Sequence, residues 1–252
     1  MFGIFKGTQF EFRNRYLIHV VIFVAGFTVP WDRLLHMQNG FLTWGVLAIY
    51  PQEHGWMPIV TSTVIVTALG LFFALAGAFL RTWGTAYLGA EVVKDSAMHG
   101  GAVVADGPYR HVRNPLYLGT WLFTLGMILF MQRGGAVFTL LAIMIVQLRL
   151  IGGEEPFLTA TLGAPYLEYC KRVPRLLPAL RAQVPASGGR PRWGIAVLGE
   201  IYFLSFAGFY AVVFAMYGET LLTEHLFLLY QGFLGALGVA IIAKALLPAP
   251  AK

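Results

Sequence analysis

Long apolar runs are the feature that most constrains how this chain can fold. Residues 58–80, 195–217 and 226–247 approach the roughly 20 apolar residues that a helix needs to cross about 30 Å of hydrocarbon. Only 12% of the residues are charged, whereas a soluble domain carries about 25%. A segment inside a bilayer must satisfy its own backbone hydrogen bonds, and a helix does so. The sequence therefore predicts a helical membrane protein.

Shorter apolar runs at residues 16–30, 116–131 and 136–148 bring the expected total to about six transmembrane helices in an all-α, polytopic fold. The first run resembles a signal peptide, but it ends in TVPWD without a small-x-small cleavage site, so we interpret it as a retained first helix. Residues 41–50, FLTWGVLAIY, are too short to cross alone. Whether they cross, re-enter or lie flat stays open.

The distribution of positive charge predicts the orientation in the membrane. If these runs cross, every Lys and Arg except Arg33 and Arg133 lies on one side. Cytoplasmic loops carry such an excess, so both termini and the polar loops at residues 81–114 and 149–193 are expected in the cytoplasm. The net charge of +6 then reflects topology rather than nucleic-acid binding.

Composition divides the chain into four parts. Residues 1–57 hold the first span and a connecting segment, and residues 58–180 hold the polar motifs. Residues 181–193, RAQVPASGGRPRW, have the composition of a linker, and residues 194–252 form a two-helix extension. The single cysteine, Cys170, excludes an internal disulfide and a cysteine-based zinc site. No metal-ligand cluster or catalytic triad stands out.

The first polar loop ends in a helix-start signal. Asn114 is a favourable N-cap and Pro115 suits the first helical position, so a helix is expected to begin there. The free N–H groups of that helix would attract an anion, and Arg110 and Arg113 would strengthen the attraction. Alternatively, the arginines anchor the helix at lipid headgroups.

The second polar loop carries two adjacent acidic residues. We expect Gly152 and Gly153 to end one helix, and Glu154, Glu155 and Pro156 to open another that Gly163 closes. The two glutamates could simply stabilise the helix dipole. Together with the first loop on the same membrane side, they could instead hold a zwitterion. S-adenosylmethionine, a phospholipid headgroup and an amino acid all have suitable separated charges.

Two sequence blocks resemble a known family in the same order. Residues 103–119, VVADGPYRHVRNPLYLG, and residues 154–174, EEPFLTATLGAPYLEYCKRVP, are similar to motifs of the isoprenylcysteine carboxyl methyltransferase family and its phospholipid methyltransferase relatives. The resemblance covers about residues 77–178. It implies a helical membrane methyltransferase with a cytoplasmic pocket for S-adenosylmethionine, and an acceptor that enters from the bilayer.

The resemblance also implies which positions line the cofactor pocket. Asn114 replaces the family's usual histidine, so this position can hydrogen-bond but cannot titrate. Relatives carry an acceptor-contacting arginine where this chain has Leu150, next to Arg149. The implied cofactor-binding residues are Lys94, Gly101, Ala102, Val103, Val104, Tyr109, His111, Arg113, Asn114, Pro115, Leu116, Tyr117 and Glu154.

Methyl transfer requires aligned reactants and excluded water rather than a nucleophilic side chain or a metal. A carboxylate acceptor would need a cation such as Arg149 or Arg172, whereas an ammonium acceptor would need a base such as Glu155 or Glu91. Glu200 lies inside an apolar run, where an ionisable residue marks either a functional site or a contact between helices.

Three functions remain open at this point. The YLEYCKRVP match favours carboxyl O-methylation of an isoprenylcysteine-like acceptor. N-methylation of a phosphatidylethanolamine-type phospholipid is the alternative within the same chemistry. A membrane binding or scaffold protein with a methyltransferase-like core is the alternative from another class. The expected partners are the lipid bilayer and a membrane lipid or prenylated acceptor, without nucleic acid.

Overall fold

A computed structural model describes residues 7–37, 41–89, 103–215 and 235, and it is all-helical within these ranges. The isolated bridge between Leu42 and Gln132 is the only β-type pairing among them. The helices are α1 (Gln9–Arg13), α2 (Arg15–Thr28), α3 (Trp31–Leu34), α4 (Thr43–Glu53), α5 (Ile59–Leu88), α6 (Pro115–Met127), α7 (Arg133–Leu162), α8 (Ala164–Arg172), α9 (Trp193–Gly199) and α10 (Ile201–Ala215), with short 3-10 turns at Gly107–Arg110 and Ile128–Phe130.

Two helices, α5 and α7, are long and apolar enough to cross a membrane, each with 30 residues. The pair α9 and α10 would make a third span, although it bends by 75° at its break. α2 and the segment Pro115–Phe130 are apolar but shorter, and the 14 residues of α2 rise only about 21 Å. The predicted six spans are therefore not confirmed, and the run at residues 226–247 lies outside the described residues.

The FLTWGVLAIY segment forms a short helix packed against α5. α4 has 11 residues and rises about 16 Å, which is too short to cross. The indole Nε1 of Trp44 donates to the Thr67 hydroxyl at 2.9 Å, and the backbone N–H of Thr43 donates to the Met131 carbonyl at 2.8 Å. These contacts fix α4 beside the long helix.

α5 and α6 pack closely because small residues face each other along their contact. A Cβ atom at Gly77 would lie 2.5 Å from the Gly119 carbonyl oxygen, and one at Gly126 would lie 2.8 Å from the Gly70 carbonyl oxygen. The buried ring of Phe123 fills the space between this pair and α10. The core of the bundle thus lies where α5, α6 and α10 meet.

The prediction that Gly152 and Gly153 end a helix is wrong, because α7 runs without a break to Leu162. The small size of Gly153 serves a close contact instead. The N-terminal segment crosses α7 here, with the Gly7 N–H donating to the Arg149 carbonyl at 2.7 Å. A Cβ atom at Gly153 would lie 3.1 Å from the Gly7 carbonyl oxygen. Gly163, at φ 63°, ends the helix as predicted.

The connection between α6 and α7 ends at Gln132, the N-cap of α7. Gly134 and Gly135 belong to the first turn of α7. The Gly134 N–H donates to the buried Asp32 carboxylate at 2.6 Å. The two glycines therefore let α3 approach the start of α7.

Replacement of Gly77 by Ala tests the contact between α5 and α6. The added methyl group would meet backbone atoms of Gly119 and Phe123 at 2.5 Å, so we expect a loss of about 1–3 kcal/mol in the free energy of unfolding. Thermal unfolding of the purified protein in detergent would report a lower Tm. Gly208→Ala is the matched control, since no atom lies within 4 Å of its added Cβ. Equal Tm values for both variants would contradict this packing.

Candidate functional site at the loop face

The polar motifs meet at one end of the bundle, which we call the loop face (residues 103–114 and 163–192). α6 begins there with Asn114 as its N-cap and Pro115 at its first position, as predicted. The Asn114 side chain does not cap the helix. Its Nδ2 instead donates to Glu155 Oε1 at 3.3 Å and to the Arg175 carbonyl at 3.1 Å. This side chain therefore joins the two polar loops.

Glu155 is held by cationic and polar partners from both loops. Its carboxylate contacts Arg113 Nη1 at 3.1 Å and Arg175 Nη2 at 2.7 Å, and its side chain is 14% exposed. Asn114 completes the set. The anion at the start of α6 is therefore the carboxylate of Glu155, a side chain of the protein itself. Arg113 pairs with this carboxylate.

Glu154 has a different environment. Its Oε2 accepts a hydrogen bond from the Tyr117 hydroxyl at 3.1 Å, and the residue is only partly exposed. Among the described residues it forms no ion pair, in contrast to Glu155. The acidic pair and the start of α6 thus converge as expected, but among the described residues only Glu155 forms direct ion pairs with arginines, while Arg15 acts on Glu154 through its charge alone.

Tyr109 points a hydroxyl group into the interior of the loop face. The residue is buried, and its hydroxyl has no hydrogen-bond partner within the described ranges. Its carbonyl accepts from the Tyr169 hydroxyl at 2.8 Å. Burial, together with the nearby charge of Glu154, raises the pKa of the Tyr109 phenol well above its usual value. The phenol therefore stays protonated and can donate a hydrogen bond.

The first-loop side chains Arg110 and His111 hold the segment at residues 174–184, which we call the strap. Arg110 Nε donates to the Val184 carbonyl at 3.0 Å, and His111 Nδ1 lies 2.9 Å from the Ala179 carbonyl oxygen, to which it donates. The Ala179 N–H donates back to the His111 carbonyl at 2.9 Å. Neither the anion-site nor the lipid-anchor interpretation anticipated this role.

Asp106 fastens the segment that follows the strap. Its buried carboxylate accepts backbone hydrogen bonds from Ser187, Gly188 and Gly189 at 2.8, 3.3 and 3.0 Å. Gly188 has a φ of +85°, a conformation that glycine adopts readily. Successive N–H groups arranged in this way form an anion-binding nest. The Ser-Gly-Gly sequence was the available signal for this contact, which sequence reasoning missed.

A shallow cleft of about 320 Å³ lies between α8 and residues 103–105. Predicted residue Val103 lines it, and Arg172 lies on its rim in an exposed ion pair with Glu168 at 3.0 Å. Hydrogen bonds from Arg172 and Lys171 lower the pKa of Glu168. Beneath the cleft, the buried rings of α8 pack against residues 103–105 and α7, forming an apolar cluster of Tyr166, Tyr169 and Val173.

Arg149, the predicted acceptor-orienting cation, pairs with α1. Its Nε contacts Glu11 Oε1 at 2.6 Å, and its Nη2 donates to Glu11 Oε2 at 3.0 Å. The hydrogen bond from Arg149 lowers the pKa of Glu11 to about 2. The neighbouring Leu150 is buried. The ion pair therefore fixes the N-terminal segment beside the end of α7 that carries Glu154.

The remaining predicted residues fall into two groups. Pro115 is buried at the start of α6, the Leu116 carbonyl accepts from Arg81, and Val104 lies in the loop before Asp106. Others lie outside the described residues, namely Lys94, Gly101, Ala102 and the candidate base Glu91. Within the described ranges, no group of three His, Cys, Asp or Glu side chains could hold a metal ion.

One buried ion pair was not predicted. Arg81 had been counted among the loop charges, but it lies inside α5 and contacts Glu200 at 2.7 Å. Both side chains are almost fully buried, at 9% and 2% exposure. Glu200 therefore makes a contact between helices, which was one of the two interpretations of this residue.

The family comparison confirms the resemblance to integral membrane methyltransferases over part of the chain. Residues 65–164 match the family model of phospholipid methyltransferases. The matched segment includes Tyr117, Glu154 and Glu155, and it spans less than half of the chain. No curated protein and no solved structure matches the chain.

Replacement of Asp106 by Asn tests the attachment at residues 187–189. The substitution removes one acceptor oxygen and puts an NH2 group in front of backbone N–H groups. We therefore expect the backbone amides of residues 187–189 to exchange about tenfold faster or more, given the usual strength of hydrogen bonds to a charged group. Hydrogen exchange followed by mass spectrometry measures this. Asp32→Asn, another buried aspartate at a distant contact with Gly134, should leave these amides unchanged. Unaltered exchange in Asp106→Asn would exclude the attachment.

Proposed function

We propose that this protein, with its phospholipid methyltransferase match over residues 65–164, is a membrane methyltransferase that uses S-adenosylmethionine and a lipid-like acceptor. The proposed cofactor site lies at the loop face, between the start of α6 and the end of α7. We place this face in the cytoplasm, on the basis of the Lys and Arg distribution.

The observation that carries the proposal is the difference between the two adjacent glutamates. Glu155 already has Arg113, Arg175 and Asn114 as partners. Glu154 accepts a hydrogen bond from the Tyr117 hydroxyl and, among the described residues, forms no ion pair, although the charge of Arg15 also acts on it. A partly buried carboxylate is costly unless it is paired, so Glu154 is suited to receive the positive or hydroxyl groups of a ligand. Glu155 then stabilises the structure of the site through its ion pairs and does not act as a base.

The side chains present fit the cofactor. S-adenosylmethionine, when bound, supplies a methyl group on a sulfonium, which a nucleophilic acceptor can attack in line. Glu154 would accept hydrogen bonds from the cofactor. The Tyr109 hydroxyl, which has no partner in the described part of the chain, would donate one. Tyr117 orients the Glu154 carboxylate from the neighbouring helix. Both tyrosines contribute apolar ring surface as well.

The chain also supplies water exclusion. The apolar cluster of Tyr166, Tyr169 and Val173 covers residues 103–105, and the strap is fixed over the first loop through Arg110 and His111. Removing water strengthens each electrostatic contact inside the site. Alignment of the two reactants then provides the main catalytic effect.

The acceptor is proposed to be lipid-like, with two candidates. A carboxylate acceptor requires a cation, and Arg149 and Arg172 are the predicted ones, although each pairs with a glutamate in the structure. A phospholipid amine requires a base, and the family description of the matched segment supports this acceptor. Both would reach the site from the bilayer.

Glu154→Gln tests the proposed cofactor site. Loss of the charge should weaken binding of S-adenosylhomocysteine by about tenfold or more, and Tyr117→Phe should weaken it less, given the usual strength of hydrogen bonds to charged groups. Isothermal titration calorimetry of the purified protein in detergent measures both. Glu53→Gln is the control, since it changes an exposed carboxylate at the end of α4.

Absence of saturable binding to the unmodified protein would overturn the enzyme proposal and favour the scaffold alternative. Equal affinities of Glu154→Gln and the unmodified protein would instead remove Glu154 from the site.

The chemical class of the acceptor is tested by the lability of the product. Incubation with methyl-labelled cofactor and either a prenylated cysteine analogue or phosphatidylethanolamine vesicles should label one acceptor. A methyl ester releases volatile methanol in base, whereas an N-methyl group stays attached. Base-labile label identifies the carboxylate acceptor, and stable label in the lipid fraction identifies the amine. Labelling of neither would contradict a lipid-like acceptor of these two classes.

A further inference from the structure

Glu200 lies at the break between α9 and α10, outside the segment that matches the family model. Its N–H donates to the Ala196 carbonyl at 2.9 Å and its carbonyl accepts from the Leu204 N–H at 3.1 Å. The residue therefore ends one helix and begins the next, at the position where the pair bends by 75°. The carboxylate faces the C-terminal third of α5.

The Glu200 carboxylate accepts three hydrogen bonds from α5. Arg81 Nε and Nη2 donate at 2.7 and 3.1 Å, and the Thr85 hydroxyl donates at 2.7 Å. The Arg81 guanidinium also lies 4.1 Å from the centre of the Phe203 ring. A buried ion pair needs such additional contacts to offset the loss of hydration. These contacts join the C-terminal helices to α5.

Arg81 also reaches the first turns of α6. Its Nη1 donates to the Thr120 hydroxyl at 2.7 Å and to the Leu116 carbonyl at 3.3 Å. Gly119 makes room for this side chain, because a Cβ atom there would lie 2.7 Å from Arg81 Cγ. The same stretch of α6 carries Tyr117, whose hydroxyl contacts Glu154.

The contacts form a continuous connection from Glu200 through Arg81 to the part of α6 that carries Tyr117. We propose that Glu200 is a positioning residue of the methyltransferase site, acting through Arg81 on the orientation of Tyr117 and Glu154. This inference rests on the proposed function. It makes the C-terminal helix pair a working part of the site rather than an appendage to the matched segment.

Glu200→Gln and Thr120→Val test the connection at its two ends. Glu200→Gln removes the charge that fixes Arg81, and Thr120→Val removes only the hydroxyl that Arg81 contacts. Each should weaken binding of S-adenosylhomocysteine, by about tenfold for Glu200→Gln and less for Thr120→Val. The reason is that the hydrogen bond from Tyr117 to the charged Glu154 carboxylate would be misaligned. In a turnover assay, the KM for the cofactor should rise while the KM for the acceptor stays unchanged.

A double-mutant cycle separates positioning from general stability. If Glu200 acts through Tyr117, the combined variant of Glu200→Gln and Tyr117→Phe should bind more tightly than the sum of the two single losses predicts. Asp32→Asn is the control, because Asp32 is equally buried and lies at the distant contact with Gly134. It should lower the Tm without changing cofactor affinity.

The outcomes distinguish this inference from the proposed function. If the unmodified protein does not bind S-adenosylhomocysteine, the proposed function fails. If the unmodified protein binds while Glu200→Gln and Thr120→Val keep the same affinity for S-adenosylhomocysteine, only the positioning role fails. The same conclusion follows if their losses of affinity add to the loss caused by Tyr117→Phe. Should Glu200→Gln not fold, Thr120→Val and its cycle with Tyr117→Phe still decide between these results.

Discussion

The ion pairs of Glu155 are the interaction on which the loop face depends. A carboxylate that is largely removed from water is costly unless cations surround it. Arg113 comes from the loop before α6, and Arg175 comes from the strap after α8. Satisfying one acidic side chain therefore brings together three segments that are far apart in sequence. Glu154 is held at the same place, but among the described residues its carboxylate forms no direct ion pair.

Local rules predicted part of this arrangement. Asn114 and Pro115 begin α6, and Gly163 ends α7, because the conformational preferences of these residues depend on their immediate neighbours. The same rules failed at Gly152 and Gly153. There, the approach of a distant backbone segment decides the outcome, and a single sequence does not show which segment will approach.

Long-range polar contacts were the least predictable feature. Arg81 resembled a loop charge at the end of an apolar run, but its main partner inside the bundle is Glu200, more than a hundred residues later. The motif residues Arg110 and His111 were associated with a ligand or lipid, yet their partners are carbonyl groups of the strap. The composition of a segment predicts that it can bind, but the identity of its partner depends on the tertiary fold.

The attachment of the strap has a consequence for how such a protein can diverge. Most of its contacts use backbone amides and carbonyls, as at Ala179 and Gln183, while Leu177 and Leu180 point outward with 82% and 100% exposure. Substitutions at outward positions would leave the polypeptide path intact. The path of this segment is thus set by its main chain, which leaves the chemistry of its outer surface free to vary.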